Sequence, residues 1–178
     1  MTIETLVKRG FERPHVGLAG MDTNKLKAMR NSALRACFNR MEETRYRMEY
    51  VASIRGRDYI NDAAARTINA TWYSLESMHG GIIWIACAAK NETDYSRLLP
   101  IAMRKVRMLL VLGDATEMKK AFGPMIPHIV ECSDMHEALH RAYFYDSDDV
   151  RVLFSPSSND ETPSETLGEQ FRHYVNEL

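Results

Sequence analysis

A chain of 178 residues, 45% hydrophobic and 26% charged, has the composition of a globular domain of ordinary size with an extension. No apolar run approaches the ~20 residues that cross a bilayer, and Met1-Thr2-Ile3-Glu4-Thr5-Leu6 lacks the charged start and apolar stretch of a secretory signal. A formal net charge of −1 argues against nucleic acid as the main partner, and Cys37, Cys87 and Cys132 at unpaired spacing point to reduced thiols and a cytoplasmic home.

Residues 1–45 read as a helical arm. Positions 10–20 carry Gly and Pro without periodicity, whereas 24–40 place Leu26, Met29, Ala33, Leu34, Cys37 and Phe38 on one face of a basic amphipathic helix. Cations outnumber acids over residues 1–60 and acids outnumber cations over 146–178. That asymmetry fits an arm docking on an acidic surface, or simply solvated helix faces.

From residue 46 the pattern alternates. Residues 47–54 and 58–60 flank Arg55-Gly56-Arg57, a hairpin turn. Residues 65–78 set Ile68, Trp72, Leu75 and Met78 at helical spacing, with Gly80-Gly81 ending the helix. The run 82–87 is continuously apolar, as in a strand buried on both faces. A helix over about 94–105, a strand over 106–112 and a helix capped by Asp114 and running to Phe122 follow. Residues 128–131 predict a short strand, and Ser133 caps a helix through about 143. Residues 150–154 predict the last strand, and Pro163 opens a final helix. The chain is therefore read as an α/β domain of Rossmann-like, three-layer type over 46–178. Its sheet of about six strands is mostly parallel, with one antiparallel strand supplied by the hairpin.

The chemistry concentrates at residues 58–73, a strand ending in a polar corner that opens into a helix. In α/β proteins such corners grip ligands through freed backbone N–H groups and short side chains. Here the corner keeps Asn61 and Asp62 and then runs Ala63-Ala64-Ala65. Candidate ligand-binding residues are Asn61, Asp62, Arg66, Lys90 and Ser155; no catalytic residue is assigned. Cys132, His136 and His140 recur every fourth residue, but Cys132 precedes the helix cap and no fourth ligand is evident, so no metal is expected. Asn69-Ala70-Thr71 fits the glycosylation pattern but falls inside a helix. Cys87 reads as a buried strand-end thiol, and Asp146, Asp148 and Asp149 as a solvated turn. The chain contains no G-x-x-x-x-G-K-[ST] phosphate loop.

Several stretches carry a resemblance: Asn61-Asp62, Thr71-Trp72-Tyr73-Ser74-Leu75-Glu76-Ser77-Met78, Trp84-Ile85, Asp94-Tyr95-Ser96, Ser155-Pro156 and Gly168-Glu169-Gln170-Phe171. In this register the chain resembles the C-terminal third of the Mur ligases, in particular the branch adding D-glutamate to UDP-N-acetylmuramoyl-L-alanine. Met1-Thr2-Ile3 and the helix around Arg30 are similar to the stretch leading out of that family's central ATP-binding domain.

The resemblance implies that two Lys and a Thr bind the incoming D-glutamate. Laid residue by residue, the first Lys falls on Ala64, the Thr on Arg66, the family's glycine pair on Cys87-Ala88 and the second Lys on Asn91, with Lys90 one position away. Cβ atoms at 87 and 88 are expected to narrow the pocket. The closing Ser-Pro motif survives as Ser155-Pro156 and continues as Ser157-Ser158-Asn159-Asp160-Glu161. A His-Asn pair falls on Glu12-Arg13, and another His on Tyr46.

The expectation is a non-catalytic binding module related to peptidoglycan-precursor synthesis. It would use no cofactor by itself, ATP and Mg²⁺ entering only with a central ATPase-like domain. Its partner would be a cell-wall synthesis protein or other Mur ligase domains, with no nucleic acid and no membrane. The alternatives are the D-glutamate-binding domain of a divergent or split ligase, and a ligand-binding regulator built on the altered corner.

Overall fold

The computed structural model describes residues 45–88, 93–147, 149–158 and 162–178. The expected arm therefore lies, apart from Arg45, outside the described residues. The described chain opens with the hairpin: β1 (Glu49–Ile54) and β2 (Arg57–Asn61) pair antiparallel. The turn is two residues, not three. Arg55 and Gly56 both take positive φ, 53° and 75°, the pattern whose twist matches paired strands, and Arg57 already pairs with Ile54.

Four further strands complete the sheet: β3 (Gly81–Cys87), β4 (Val106–Leu112), β5 (Ile129–Cys132) and β6 (Val150–Phe154). Their order is β1-β2-β6-β3-β4-β5, and every neighbouring pair beyond the hairpin is parallel. The centre belongs to β3, flanked by β6 and β4, and all seven of its residues are buried. This is why its sequence runs apolar without alternation.

The helices are α1 (Ile68–Ser77), α2 (Leu99–Lys105), α3 (Thr116–Phe122), α4 (Met135–Tyr143) and α5 (Ser164–Asn176). Alternate residues of β3 feed two layers. Ile83, Ile85 and Cys87 pack with Leu139 of α4 and Phe171 of α5. Ile82, Trp84 and Ala86 pack with Leu75 of α1, Ile101 of α2 and Phe122 of α3. The fold is the Rossmann-like α/β sandwich that the alternation implies.

Several boundaries differ from the sequence reading for local reasons. α1 starts three residues late because Ala65 N–H bonds Asp62 O (2.9 Å) and Arg66 N–H bonds Ala64 O (3.0 Å), turning the alanine run before Thr67 caps the helix through Ala70 N–H. Residues 94–98 form a turn, in which Asp94 accepts from Ser96 N–H (2.9 Å), so α2 is short. Asp134, not Ser133, caps α4 by accepting from Glu137 N–H. Ser133 still contributes, donating N–H and hydroxyl to Glu137 at 2.8 and 2.9 Å. Asp114 lies just ahead of the Ala115 cap position and accepts from Thr116 N–H at 2.8 Å. Pro163 occupies the cap position rather than the first turn.

Two side chains tie distant segments together. Arg57 donates to the carbonyls of Ala142, Tyr143, Tyr145 and Ser147, holding the exit of α4 against β2. Tyr46 lays its ring on Gly168 and donates its hydroxyl to Glu169 at 2.6 Å, fixing the approach to β1 onto α5. Burial, helped by Glu169, pushes the Tyr46 hydroxyl up to about 12. Gly80, with φ +75°, ends the connection from α1; a Cβ there would lie 2.7 Å from Arg151 Nη1.

Candidate functional site

Three strands bring their carboxyl ends together at one edge. β2 leads into the corner 61–67, β6 into Ser155-Pro156-Ser157, and β3 into Cys87-Ala88. After β3 the chain crosses to the layer holding α2, and after β6 to the layer holding α5. The crevice between β3 and β6 is thus the topological switch point, the place where open α/β sheets bind ligands.

In this protein that crevice is laced shut by backbone and side-chain bonds. Cys87 N–H donates to Pro156 O (3.1 Å), Ser155 N–H to Ile85 O (3.0 Å) and Ser157 N–H to Ala65 O (3.1 Å). Trp84 Nε1–H reaches Ser155 O at 2.8 Å. Cys87 and Ala88 do not narrow a pocket side by side. Cys87 packs into the α4–α5 layer and Ala88 against the opposite one, as alternation along a strand requires.

The candidate side chains are turned inward as well. Asn61 donates Nδ2–H to Glu49 Oε2 (3.0 Å) and to Gly168 O (3.2 Å), and its Oδ1 accepts from Ala63 N–H (3.3 Å). Asp62 accepts from Met48 N–H at Oδ1 (3.1 Å) and from the Ser74 hydroxyl at Oδ2. Ser155 shares a 2.8 Å hydroxyl–hydroxyl bond with Thr71. Asn61, Asp62 and Ser155 are all buried.

Arg66 extends instead to the entrance of α5, donating to Thr162 O at 2.6 Å. Lys90 lies outside the described residues. The structure thus places Asn61, Asp62 and Ser155 at neighbouring strand ends and ties two of them to α1 through hydroxyls that the sequence reading passed over, Asp62 through Ser74 and Ser155 through Thr71. Their signal was present: two small polar residues three apart on the helix face that also carries buried Leu75.

The histidine spacing resolves into packing. Cys132 ends β5 with its thiol in the α4–α5 layer, where burial pushes it up to about 11. His136 stacks on His140 (6.2 Å between centroids) and meets Tyr174 edge-on at 5.4 Å. Among the described residues no group of three or more His, Cys, Asp or Glu could hold a metal ion. Nor is any helix among them long and apolar enough to cross a membrane.

Sequence comparison decides the relationship. The chain is 34% identical over 179 residues to the UDP-N-acetylmuramoylalanine–D-glutamate ligase of Porphyromonas gingivalis, covering 98% of this chain and 40% of that protein. It is 31% identical over 182 residues to the enzyme of the same name from Christiangramia forsetii, covering 100% of this chain and 41% of that one. The chain is homologous to the Mur ligases. It spans about two fifths of the length of the curated relatives it matches.

No protein-family profile matches the chain. In fold it is similar to a crystallised domain from a Haemophilus ducreyi protein named as a UDP-N-acetylmuramate:L-alanyl-gamma-D-glutamyl-meso-diaminopimelate ligase. That likeness has a TM-score of 0.51 at 9% identity, over 72% of this chain and 99% of that domain.

Within this Mur-ligase-related domain the electrostatics of the corner follow from its burial. Burial first, against the opposing pull of the Ser74 and Met48 bonds and the Arg47 charge, holds the Asp62 carboxyl above its ordinary value of 3.8. The folded state therefore keeps a proton that the unfolded chain releases near 3.8, and stability falls as pH rises through the folded-state value. Replacing Asp62 by Asn keeps an acceptor for Met48 N–H and removes the buried charge. Asp62→Asn is expected to be more stable than the parent at neutral pH and to lose that pH dependence. Urea midpoints from pH 3 to 7 check this; a less stable Asn variant at neutral pH would show that the ionised carboxylate is the stabilising species.

Proposed function

We propose that this domain is a non-catalytic, Mur-ligase-related binding module of peptidoglycan-precursor synthesis, whose strand-end corner no longer grips D-glutamate. One observation carries the reading: Asn61, Asp62 and Ser155 each spend their polar atoms on internal bonds. A recognition site needs polar groups left facing the ligand. The alanine run supplies no cation at the position where the family resemblance puts one.

ATP and Mg²⁺ enter this reading only through a central ATPase-like domain, because acyl-phosphate chemistry needs a phosphate loop that this sequence does not contain. The partner would be a cytoplasmic protein of cell-wall synthesis or other Mur ligase domains, and neither nucleic acid nor membrane is involved.

A second reading is favoured by the end-to-end match to the D-glutamate ligases: a D-glutamate-binding domain of a divergent or split ligase. The two readings separate in a reconstitution. The chain mixed with the remaining domains of a relative, UDP-N-acetylmuramoyl-L-alanine, D-glutamate, ATP and Mg²⁺ is expected to form no amide product. ATP-dependent appearance of that product would establish the second reading.

A further inference from the structure

A cavity of about 630 Å³ lies between α3 and the turn that enters α2, and shares no lining residue with the corner. Its size lies within the range of small-molecule sites, and it is lined by the turn that enters α2 and by α3, the helices that follow β3 and β4.

Leu99 and Ala121 give the cavity an apolar floor, and behind them Tyr95 is buried with its ring 5.3 Å from that of Phe122. Around this floor stand Asp94, Glu117 and Lys120. Asp94 is fixed by the bond from Ser96 N–H at 2.9 Å, and its bonds to Ser96 hold it below the ordinary carboxylate range. Glu117 stands one turn before Lys120 on α3. The neighbouring Lys119 is engaged with Glu131 at 3.8 Å, whereas Lys120 makes no ion pair among the described residues. Two carboxylates and one ammonium therefore surround one apolar patch, a net charge of −1.

We propose that this cavity binds a cationic amino acid, its two positive groups on Asp94 and Glu117, its carboxylate on Lys120 and its aliphatic stem on Leu99 and Ala121. The complement is one of charge number as well as sign: two cations and one anion meet two anions and one cation. A guanidinium suits such carboxylates because it offers paired donors in a fixed plane. An acidic amino acid would set its side-chain charge against the carboxylates, so this site selects against glutamate. The cavity is separate from the corner, and the two readings fail separately.

The test is a titration of the whole chain, followed by amide resonances, with L-arginine, with agmatine (the same cation without the carboxylate) and with D-glutamate. L-Arginine is expected to bind saturably and shift Leu99 and Ala121. Asp94→Asn and Glu117→Gln should each weaken it by about tenfold or more, and Lys120→Met should reduce arginine to the affinity of agmatine. These side chains are at least partly exposed, so the variants should stay folded, which circular dichroism checks. Absence of saturable arginine binding, equal binding by the parent of arginine and agmatine, or unchanged affinity in the carboxylate variants would overturn the proposal. Shifts from D-glutamate at Asp62, Thr71 or Ser155 would instead overturn the reading of the corner.

Discussion

Trp84→Ala should destabilise the domain by about 3–5 kcal/mol, the cost of emptying a fully buried aromatic site in a core. Trp84 is completely buried in the central strand, meets Phe122 edge-on at 5.7 Å, and donates its indole N–H to Ser155 O. The substitution opens a cavity between β3 and α3 and also leaves the Ser155 carbonyl without this donor. Domains of this size hold only about 5–15 kcal/mol in total, so the alanine variant should lie near the edge of unfolding. Trp84→Phe separates the two contributions. It keeps a ring against Phe122 and removes the N–H, and its expected loss is about 1–3 kcal/mol. Urea unfolding followed by far-ultraviolet circular dichroism measures both. A Phe variant as stable as the parent would show that the tie from β3 to the switch-point loop contributes nothing.

Gly168→Ala is the second large effect, and its sign runs against helix propensity. In the interior of α5 alanine should be favoured over glycine by about 1 kcal/mol. A Cβ at this position, however, would stand 2.5, 2.7 and 2.9 Å from Cδ1, Cγ and Cε1 of Tyr46. That ring is buried, and its hydroxyl is held by Glu169, so it has little freedom to retreat. Overpacking of this kind costs about 1–3 kcal/mol, and the movement would also strain the bond from Asn61 to Gly168 O. Net destabilisation is expected. Tyr46→Ala should be destabilising by itself, but the double variant Tyr46→Ala/Gly168→Ala should lose less than the two single losses combined. The coupling should be about 0.5–3 kcal/mol, as for residues in contact. Additive losses would place the effect of Gly168 elsewhere than on the Tyr46 ring.

The bounds of β4 and β6 were legible, and that of β3 to one residue, because β3 is apolar throughout and β4 and β6 are apolar but for Arg107 and Arg151 at their second positions, a pattern that leaves a buried parallel strand little alternative. The start of α1 was not. Ala63-Ala64-Ala65 reads as good helix, yet the Asp62 and Ala64 carbonyls capture the next amides and make a turn of it. Tertiary bonds hold that turn, Ala64 N–H donating to Tyr46 O and Ser157 N–H to Ala65 O, and override propensity there. At Ser133-Asp134 two capping residues stand side by side, and the sequence could not rank them, since both are used.

The site was legible in position only. Asn61 and Asp62 lie at the end of β2 and Ser155 just after its neighbour β6. That they face inward depends on Met48 N–H, the Gly168 carbonyl, Thr71 and Ser74. Two of those partners are backbone groups, which leave no mark in a sequence. Arg66, placed in the same corner by sequence, reaches the entrance of α5 because the turn at 63–65 aims it there.

A corner that has turned its polar atoms inward should be indifferent to the family's amino acid. The most direct measurement is a D-glutamate titration of the chain with the amides of Asp62, Thr71 and Ser155 watched one by one. All three should stay in place, with no saturable heat in a parallel calorimetric titration. Saturable shifts at these amides with micromolar affinity would show that the corner still holds its substrate, and the proposal of a non-catalytic module would fall.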